Sequence, residues 1–313
     1  MFLGSPAFAV PSLVSLAEHD NIEVALVVTQ PDRPAGRGRS LTAPPVKVAA
    51  LELGIPVFQP ETLRDDDAVQ ILRDAAPDLL IVVAYGELLR RNVLDLTPHG
   101  CLNVHPSLLP RYRGAAPIPA AILNGDAVTG VSIMKLVRRL DAGPLVAHVE
   151  AEVHPDDTTG SLSDRLAVRS AQMLPDVARD YVAGRRTPVP QDESLTTNTH
   201  EWSTADAEID WSQPARQIER LVRASNPWPV AWTTYGETRL RILTARVADV
   251  PSSGEQLPGT VLMSAGTVGV VTADGVLLLD VVQPAGKRSM PAGDWWRGLR
   301  RPDITLGPSH SPS

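Results

Sequence analysis

The sequence predicts a doubly wound α/β domain followed by a small β-barrel domain. Three observations carry that expectation. Short apolar strands alternate with helical segments through the first half. Closely spaced strands separated by turn residues fill the last third. Aromatic usage changes between them, with all three Phe before residue 60 and all six Trp after residue 200. A chain of 313 residues also exceeds what one core usually organises. The expected division is a first domain over 1–184, a linker over 185–205 and a second domain over 206–313.

The opening apolar stretch is broken by Gly4, Pro6 and Pro11 and lacks a basic n-region, so it reads as a first strand and turn rather than a signal peptide. Only three residues precede Gly4; either the strand is short or the true start lies upstream. The turn Gly4-Ser5-Pro6-Ala7-Phe8 lacks the glycine spacing of a dinucleotide fingerprint, so no NAD site is expected. Strand character follows at 23–28, 79–84, 101–105 and 129–136, with helical spacing at 11–17, 46–53 and 65–75. The stretch 79–84 is apolar on both faces, as a central strand of a parallel sheet should be. Leu162, Leu166, Ala167, Ala171, Leu174, Val177 and Ala178 recur at three and four residues, which predicts a core-packing helix to about residue 183. Pro188, Pro190 and polar residues then give 184–199 a linker's composition. Beyond it come a helix at 216–225, the rigid turn Asn226-Pro227-Trp228-Pro229, and strands at 239–247, 259–263, 267–272 and 275–282.

Composition narrows the functional classes. No apolar run approaches the roughly 18 residues of a membrane span, and a soluble, cytoplasmic protein is expected. The single cysteine, Cys101, excludes an internal disulfide and a multi-Cys metal site, and the seven His show no metal-ligand spacing, so no metal is expected. Net charge is −7, which argues against nucleic-acid binding through bulk charge. From Asp206 onward there are 11 acidic and 11 basic residues, so the acidity lies in the first 205 and any nucleic-acid contact must use local basic patches. All but three of the 29 basic residues are Arg, which favours planar bidentate contacts.

The chemistry concentrates in three stretches. From Cys101 to Pro117 a short strand is ended by Pro106, and side-chain alternation puts Asn103 and His105 on one face at the strand's carboxyl end. Open α/β sheets place their ligand crevices there. The stretch from Thr29 to Arg39 is a long loop with Arg33, Arg37 and Arg39 and almost no apolar side chains, able to contact phosphate and base together. In Leu140-Asp141-Ala142-Gly143, Asp141 is by residue type a tight-turn residue.

Asn103-Val104-His105 followed by Ser107-Leu108-Leu109-Pro110-Arg111-Tyr112-Arg113-Gly114 resembles the signature of enzymes that transfer a formyl group from 10-formyltetrahydrofolate. The Gly-Ser-Pro turn, the Arg loop, the Leu-Asp-x-Gly stretch and the C-terminal strands extend the resemblance, and together they are similar to the methionyl-tRNA formyltransferase family. The resemblance implies a Rossmann-like formyltransferase domain and an OB-like C-terminal tRNA-binding domain. It implies a catalytic set of Asn103, His105 and Asp141, and tetrahydrofolate beside Ser107, Leu108, Leu109 and Pro110, with the backbone at Tyr85 and Gly86 as another wall. It also implies tRNA contacts from Arg33, Arg37 and Arg39 and from the basic turn at Lys287 and Arg288. Pro106 and Pro144 depart from the family's usual Gly and acidic residue.

Formyl transfer to an amine needs donors aimed at the developing oxyanion and an acid–base group near the nitrogens. Asn103 can donate, His105 can donate or relay a proton, and Asp141 can orient and charge-stabilise His105 or take a proton itself. The expected partners are initiator methionyl-tRNA and 10-formyltetrahydrofolate, for a monomeric enzyme with no membrane association. The alternative is a formyltransferase for a small amine, such as a nucleotide sugar or glycinamide ribonucleotide. A non-catalytic RNA-binding protein would need none of the three residues in register.

Overall fold

The computed structural model describes residues 1–35, 40–249, 256–264, 266–299 and 304–307. The first 199 residues form β1 (Phe2–Gly4), α1 (Val10–Ala17), β2 (Val27–Val28), β3 (Arg33–Ala35), β4 (Ser40–Thr42), α2 (Pro45–Glu52), β5 (Val57–Phe58), α3 (Asp66–Asp74), β6 (Leu80–Val83) and α4 (Arg91–Leu94). These are followed by β7 (Cys101–His105), β8 (Arg113–Gly114), α5 (Pro117–Asn124), β9 (Val128–Lys135), β10 (Leu145–Glu152), α6 (Thr159–Val182) and β11 (Asn198–Thr199).

The main sheet runs β10-β9-β7-β6-β1-β2-β5. The five strands from β7 to β5 are parallel, and β9 and β10 extend them antiparallel at one edge. This is the Rossmann-like arrangement expected. β6 shows why it is central: all four of its residues are buried, and both edges pair, with β1 and with β7. Helix α3 buries Ala68, Val69 and Leu72 and places Asp66 and Asp67 in its first turn, where carboxylates suit the helix dipole. The expected strand at 23–28 narrows to Val27–Val28, because only those residues enter the ladder. The Arg loop begins and ends as a hairpin, with Arg33 opposite Thr42 and Ala35 opposite Ser40.

The second run of elements is α7 (Ala215–Ala224), β12 (Trp232–Tyr235), β13 (Thr238–Val247), β14 (Val261–Ser264), β15 (Thr267–Val271), β16 (Val276–Pro284), β17 (Met290–Pro291) and α8 (Ala292–Leu299). The strands make a curled antiparallel sheet in the order β12-β13-β16-β15-β14, with β17 beside β16. It is the OB-like element expected, and among the described residues it is an open half-barrel with β12 and β14 at its ends. Its core gathers Trp211, Ile218, Val222, Leu240, Leu277 and Trp295. Ile218 and Val222, one helical turn apart, are the α7 stripe that covers this sheet.

Contacts divide the chain into two compact units: 1–117 with 128–152 and 163–199, and 118–127 with 153–162 and 200–313. This differs from the expected split at 184 and 205. Residues 185–199 belong to the first unit because β11 pairs parallel with β8 and Val189 bridges Leu145. Residues around 124 and 159 group with the second, where Arg220 donates to the Asn124 carbonyl and Thr159 Oγ1 to that of Ala224. Proline and polar composition read as a spacer, yet the hydrogen-bonding capacity of those residues is spent on the first unit.

Candidate functional site

β7 holds its residues rigidly because it pairs on both sides, with β6 and β9, and it ends at His105. His105 is buried, and its Nε2 lies 2.9 Å from the carbonyl oxygen of Tyr112. A carbonyl only accepts, so Nε2 carries the proton and the neutral ring leaves a lone pair on Nδ1. Nδ1 lies 3.7 Å from Oδ2 of Asp141, which is also buried. Burial holds the imidazole below its ordinary pKa of 6.5, against the opposing pull of the Asp141 charge and the Tyr112 carbonyl. The ring therefore sits neutral, with an unprotonated nitrogen directed at a carboxylate. A proton arriving at Nδ1 would be stabilised on arrival.

Asp141 is not held by its own turn. Its φ of 46° lies in the left-handed region, tolerated by Asp better than by most residues but still strained. Oδ2 accepts from the backbone N–H of Gly114 at 2.8 Å. Gly114 sits at φ 110°, and a Cβ there would fall 2.2 Å from the Thr199 carbonyl oxygen, so glycine is needed both for the backbone angle and for the approach of β11. At Gly143 a Cβ would meet the Lys135 carbonyl oxygen at 1.7 Å, which keeps the Asp141 turn tight against β9.

Asn103 is half-buried, two residues before His105, and its carboxamide makes no hydrogen bond among the described residues. It is the one uncommitted amide on this strand. The structure brings His105 and Asp141 together, and Asn103 shares the His105 face of β7 by alternation.

The expected folate-lining residues are placed unevenly. Ser107 is fully buried; its hydroxyl donates to the Arg111 carbonyl at 2.6 Å, and its own carbonyl accepts from Ser132 Oγ at 2.7 Å. Leu109 is buried, donates its N–H to Ser132 Oγ and precedes a cis Pro110, while Leu108 reaches the backbone of Gly130. These side chains build the loop, which presents little beyond backbone and the half-buried Leu108 and Pro110. The Tyr85 ring packs in the core beside Leu3, Leu63 and Val93, and burial raises its phenol pKa. Only backbone is left to line a site there, through Gly86 at φ 92°.

A formyl transferase model matches residues 2–178 and a formyl transferase C-terminal domain model matches 202–300. A methionyl-tRNA formyltransferase of Roseiflexus castenholzii is 52% identical over 300 residues, covering 96% of each chain. One from Listeria innocua is 44% identical over 302 residues, again 96% of each. The chain belongs to the methionyl-tRNA formyltransferase family.

Among solved structures, an N-formyltransferase from Helicobacter canadensis in complex with folinic acid and dTDP-3-aminofucose superposes with a TM-score of 0.66 over 89% of this chain and 97% of that one. At 14% identity that likeness speaks for the fold alone. Of the positions that suggest tRNA contact in the methionyl-tRNA formyltransferase family, Arg33 is exposed on β3, and Arg37 and Arg39 lie outside the described residues. Lys287 and Arg288 are exposed in the turn after β16. The base of the Arg hairpin is anchored: both Asp32 oxygens accept from Lys47 Nζ at 2.8 Å, and Gln59 Nε2 donates to Asp32 Oδ1 and to the Gln30 carbonyl. Among the described residues no cluster of three His, Cys, Asp or Glu could hold a metal, and no helix is long and apolar enough to cross a membrane.

Sequence reading missed three contributors: the Tyr112 carbonyl, the Gly114 N–H and Gln191, which donates to the Asp141 and Gly143 carbonyls. The first two are backbone atoms and carry no residue-type signal. Gln191 sits in a stretch whose composition reads as a spacer.

Proposed function

We infer that this chain transfers the formyl group of 10-formyltetrahydrofolate to the α-amino group of methionine carried on initiator tRNA, for translation initiation in the cytoplasm. The carrying observation is the His105–Asp141 pair, with Nε2 committed to a carbonyl and Nδ1 left as a buried base facing a carboxylate. The folate supplies the formyl carbon. An α-amino group of pKa about 7.7–8.0 is largely protonated at neutral pH and must lose a proton to attack. His105 Nδ1 takes that proton, and Asp141 stabilises the imidazolium as it forms. As the bond from the formyl carbon to folate N10 breaks, the imidazolium returns the proton to N10 and tetrahydrofolate leaves, while the attacking nitrogen sheds its second proton to solvent. Asn103 donates its uncommitted N–H to the formyl oxygen as negative charge develops there. Backbone of the 107–110 loop and of 84–86 flanks the folate.

Exposed Arg33, Lys287 and Arg288 support a tRNA substrate over a small amine, because solvent-facing cations can neutralise backbone phosphates and release their counterions. The enzyme acts as a monomer. The test is incubation with 10-formyltetrahydrofolate and, in parallel, charged initiator methionyl-tRNA, free methionine, glycinamide ribonucleotide and a nucleotide sugar. Formyl-methionyl-tRNA should be the main product. Preferential formylation of either small amine would replace this reading with the small-amine one.

A further inference from the structure

The stretch from Val189 to Thr199 touches both halves of the candidate site. Val189 and Leu145 exchange backbone hydrogen bonds of 2.7 and 2.8 Å. Thr197 accepts from the Tyr112 N–H on its hydroxyl at 2.8 Å and from the Arg113 N–H on its carbonyl at 2.9 Å. Thr199 Oγ1 accepts from the Ala116 N–H and donates to the Arg113 carbonyl. These bonds fix the segment that supplies the Tyr112 carbonyl to His105 and the Gly114 N–H to Asp141.

Gln191 closes the other side. Its Nε2 donates to the carbonyls of Asp141 at 2.8 Å and Gly143 at 2.7 Å. Its Oε1 accepts from Arg113 Nη2 at 2.7 Å and Nε at 3.1 Å. Arg113 is 2% exposed, and its remaining hydrogen bonds run to the Glu193 carboxylate, which Arg139 also meets. One carboxamide thus ties the Asp141 turn to the arginine that follows Tyr112. No other residue type of that length can donate twice and accept twice there.

We propose that Gln191 is a positioning residue for formyl transfer, setting the Asp141 carboxylate against His105 Nδ1 by binding the Asp141 and Gly143 carbonyls to Arg113. The inference rests on the reading of Asp141 as part of the catalytic pair. A turn whose key residue is in the left-handed region relaxes when its carbonyl anchors are removed. Relaxation moves the carboxylate and leaves the surfaces for tRNA and folate in place.

The experiment is steady-state kinetics of Gln191→Ala and Gln191→Glu, each alone and combined with Asp141→Ala. Glutamate keeps the acceptor for Arg113 and has no donor for the two carbonyls, so it isolates the anchoring bonds if the alanine variant folds poorly. Both single variants should lose up to about 10²-fold in kcat, with KM for tRNA and folate within about threefold. In the Asp141→Ala background the Gln191 change should cost less than about twofold, because the group it positions is gone. A full loss that persists in that background, a loss confined to KM, or unchanged kcat overturns the proposal. Full turnover by Asp141→Ala alone would instead remove Asp141 from the mechanism, so the two failures are distinguishable.

Discussion

The loop from Cys101 to Gly114 and the strap from Val189 to Thr199 are hydrogen-bonded neighbours, and they differ in how their roles are written. The loop is marked by its side chains: an amide, an imidazole and a strand-ending proline in fixed spacing. The strap carries its role in partnerships, a carboxamide between two carbonyls and an arginine, and two threonines against backbone N–H groups. Side-chain chemistry of a reactive kind can be recognised in one dimension. A hydrogen bond between residues 50 to 86 positions apart cannot.

The largest expected effect lies on the loop side of that comparison. Asn103→Ala, His105→Ala and Asp141→Ala should each lower formylation turnover by about two to four orders of magnitude, measured by rapid quench with saturating tRNA and folate. Near-normal turnover by one of them would strike that residue from the site and shift weight toward the strap.

Next comes the junction of the two regions. Gly114→Ala introduces a Cβ against the Thr199 carbonyl and forces φ 110° on a residue that avoids it. The expected cost is about 2–3 kcal/mol of stability, read as a lowered urea midpoint, with strap amides around 197–199 losing hydrogen-exchange protection. Undiminished protection would mean that β8 and β11 are not joined as described.

A smaller effect is tied to pH. Burial depresses the folded-state pKa of His105 below 6.5, so in that range the unfolded chain binds a proton that the folded chain refuses. This contribution to stability is fully present above pH 6.5 and is lost as pH falls from 6.5 towards the depressed value. Urea midpoints of the wild-type protein should decline through that acid range more steeply than those of His105→Gln. Parallel declines would place the titrating group elsewhere.

The smallest stability effects belong to the exposed cations. Arg33→Ala, Lys287→Ala and Arg288→Ala should each change stability by no more than about 0.5 kcal/mol. Each should weaken tRNA binding and lower the salt slope by about one where the residue meets a phosphate. An unchanged salt slope for all three would move the tRNA contacts to other surfaces.

Much of the fold was legible beforehand. β7 is legible to the residue because an apolar run ends at a proline. β6, expected over 79–84 and found as Leu80–Val83, is legible to within one residue at each end because a strand buried on both faces has no polar alternation. Residue type and resemblance point to Asp141 and His105, and the two meet at 3.7 Å. In sequence the Arg hairpin reads as a loop, since β3 and β4 are three-residue strands, too short to show period-two patterning. Ser107 and the backbone at Tyr85 are expected lining positions; the Ser107 hydroxyl and the Tyr85 ring turn into the structure, which leaves backbone at both places. Direction of a side chain at a strand end or in a loop depends on what packs behind it.

By itself the sequence determined the alternation of strands and helices, the antiparallel second unit, and the amide, imidazole and carboxylate proposed to carry the chemistry, because periodicity and side-chain type are local properties. Only the tertiary structure decided which nitrogen of His105 is bare, what holds Asp141 in a strained turn, and that residues 185–199 belong to the first unit. Those outcomes rest on backbone carbonyls and N–H groups that every residue possesses, and only folding assigns such groups their partners.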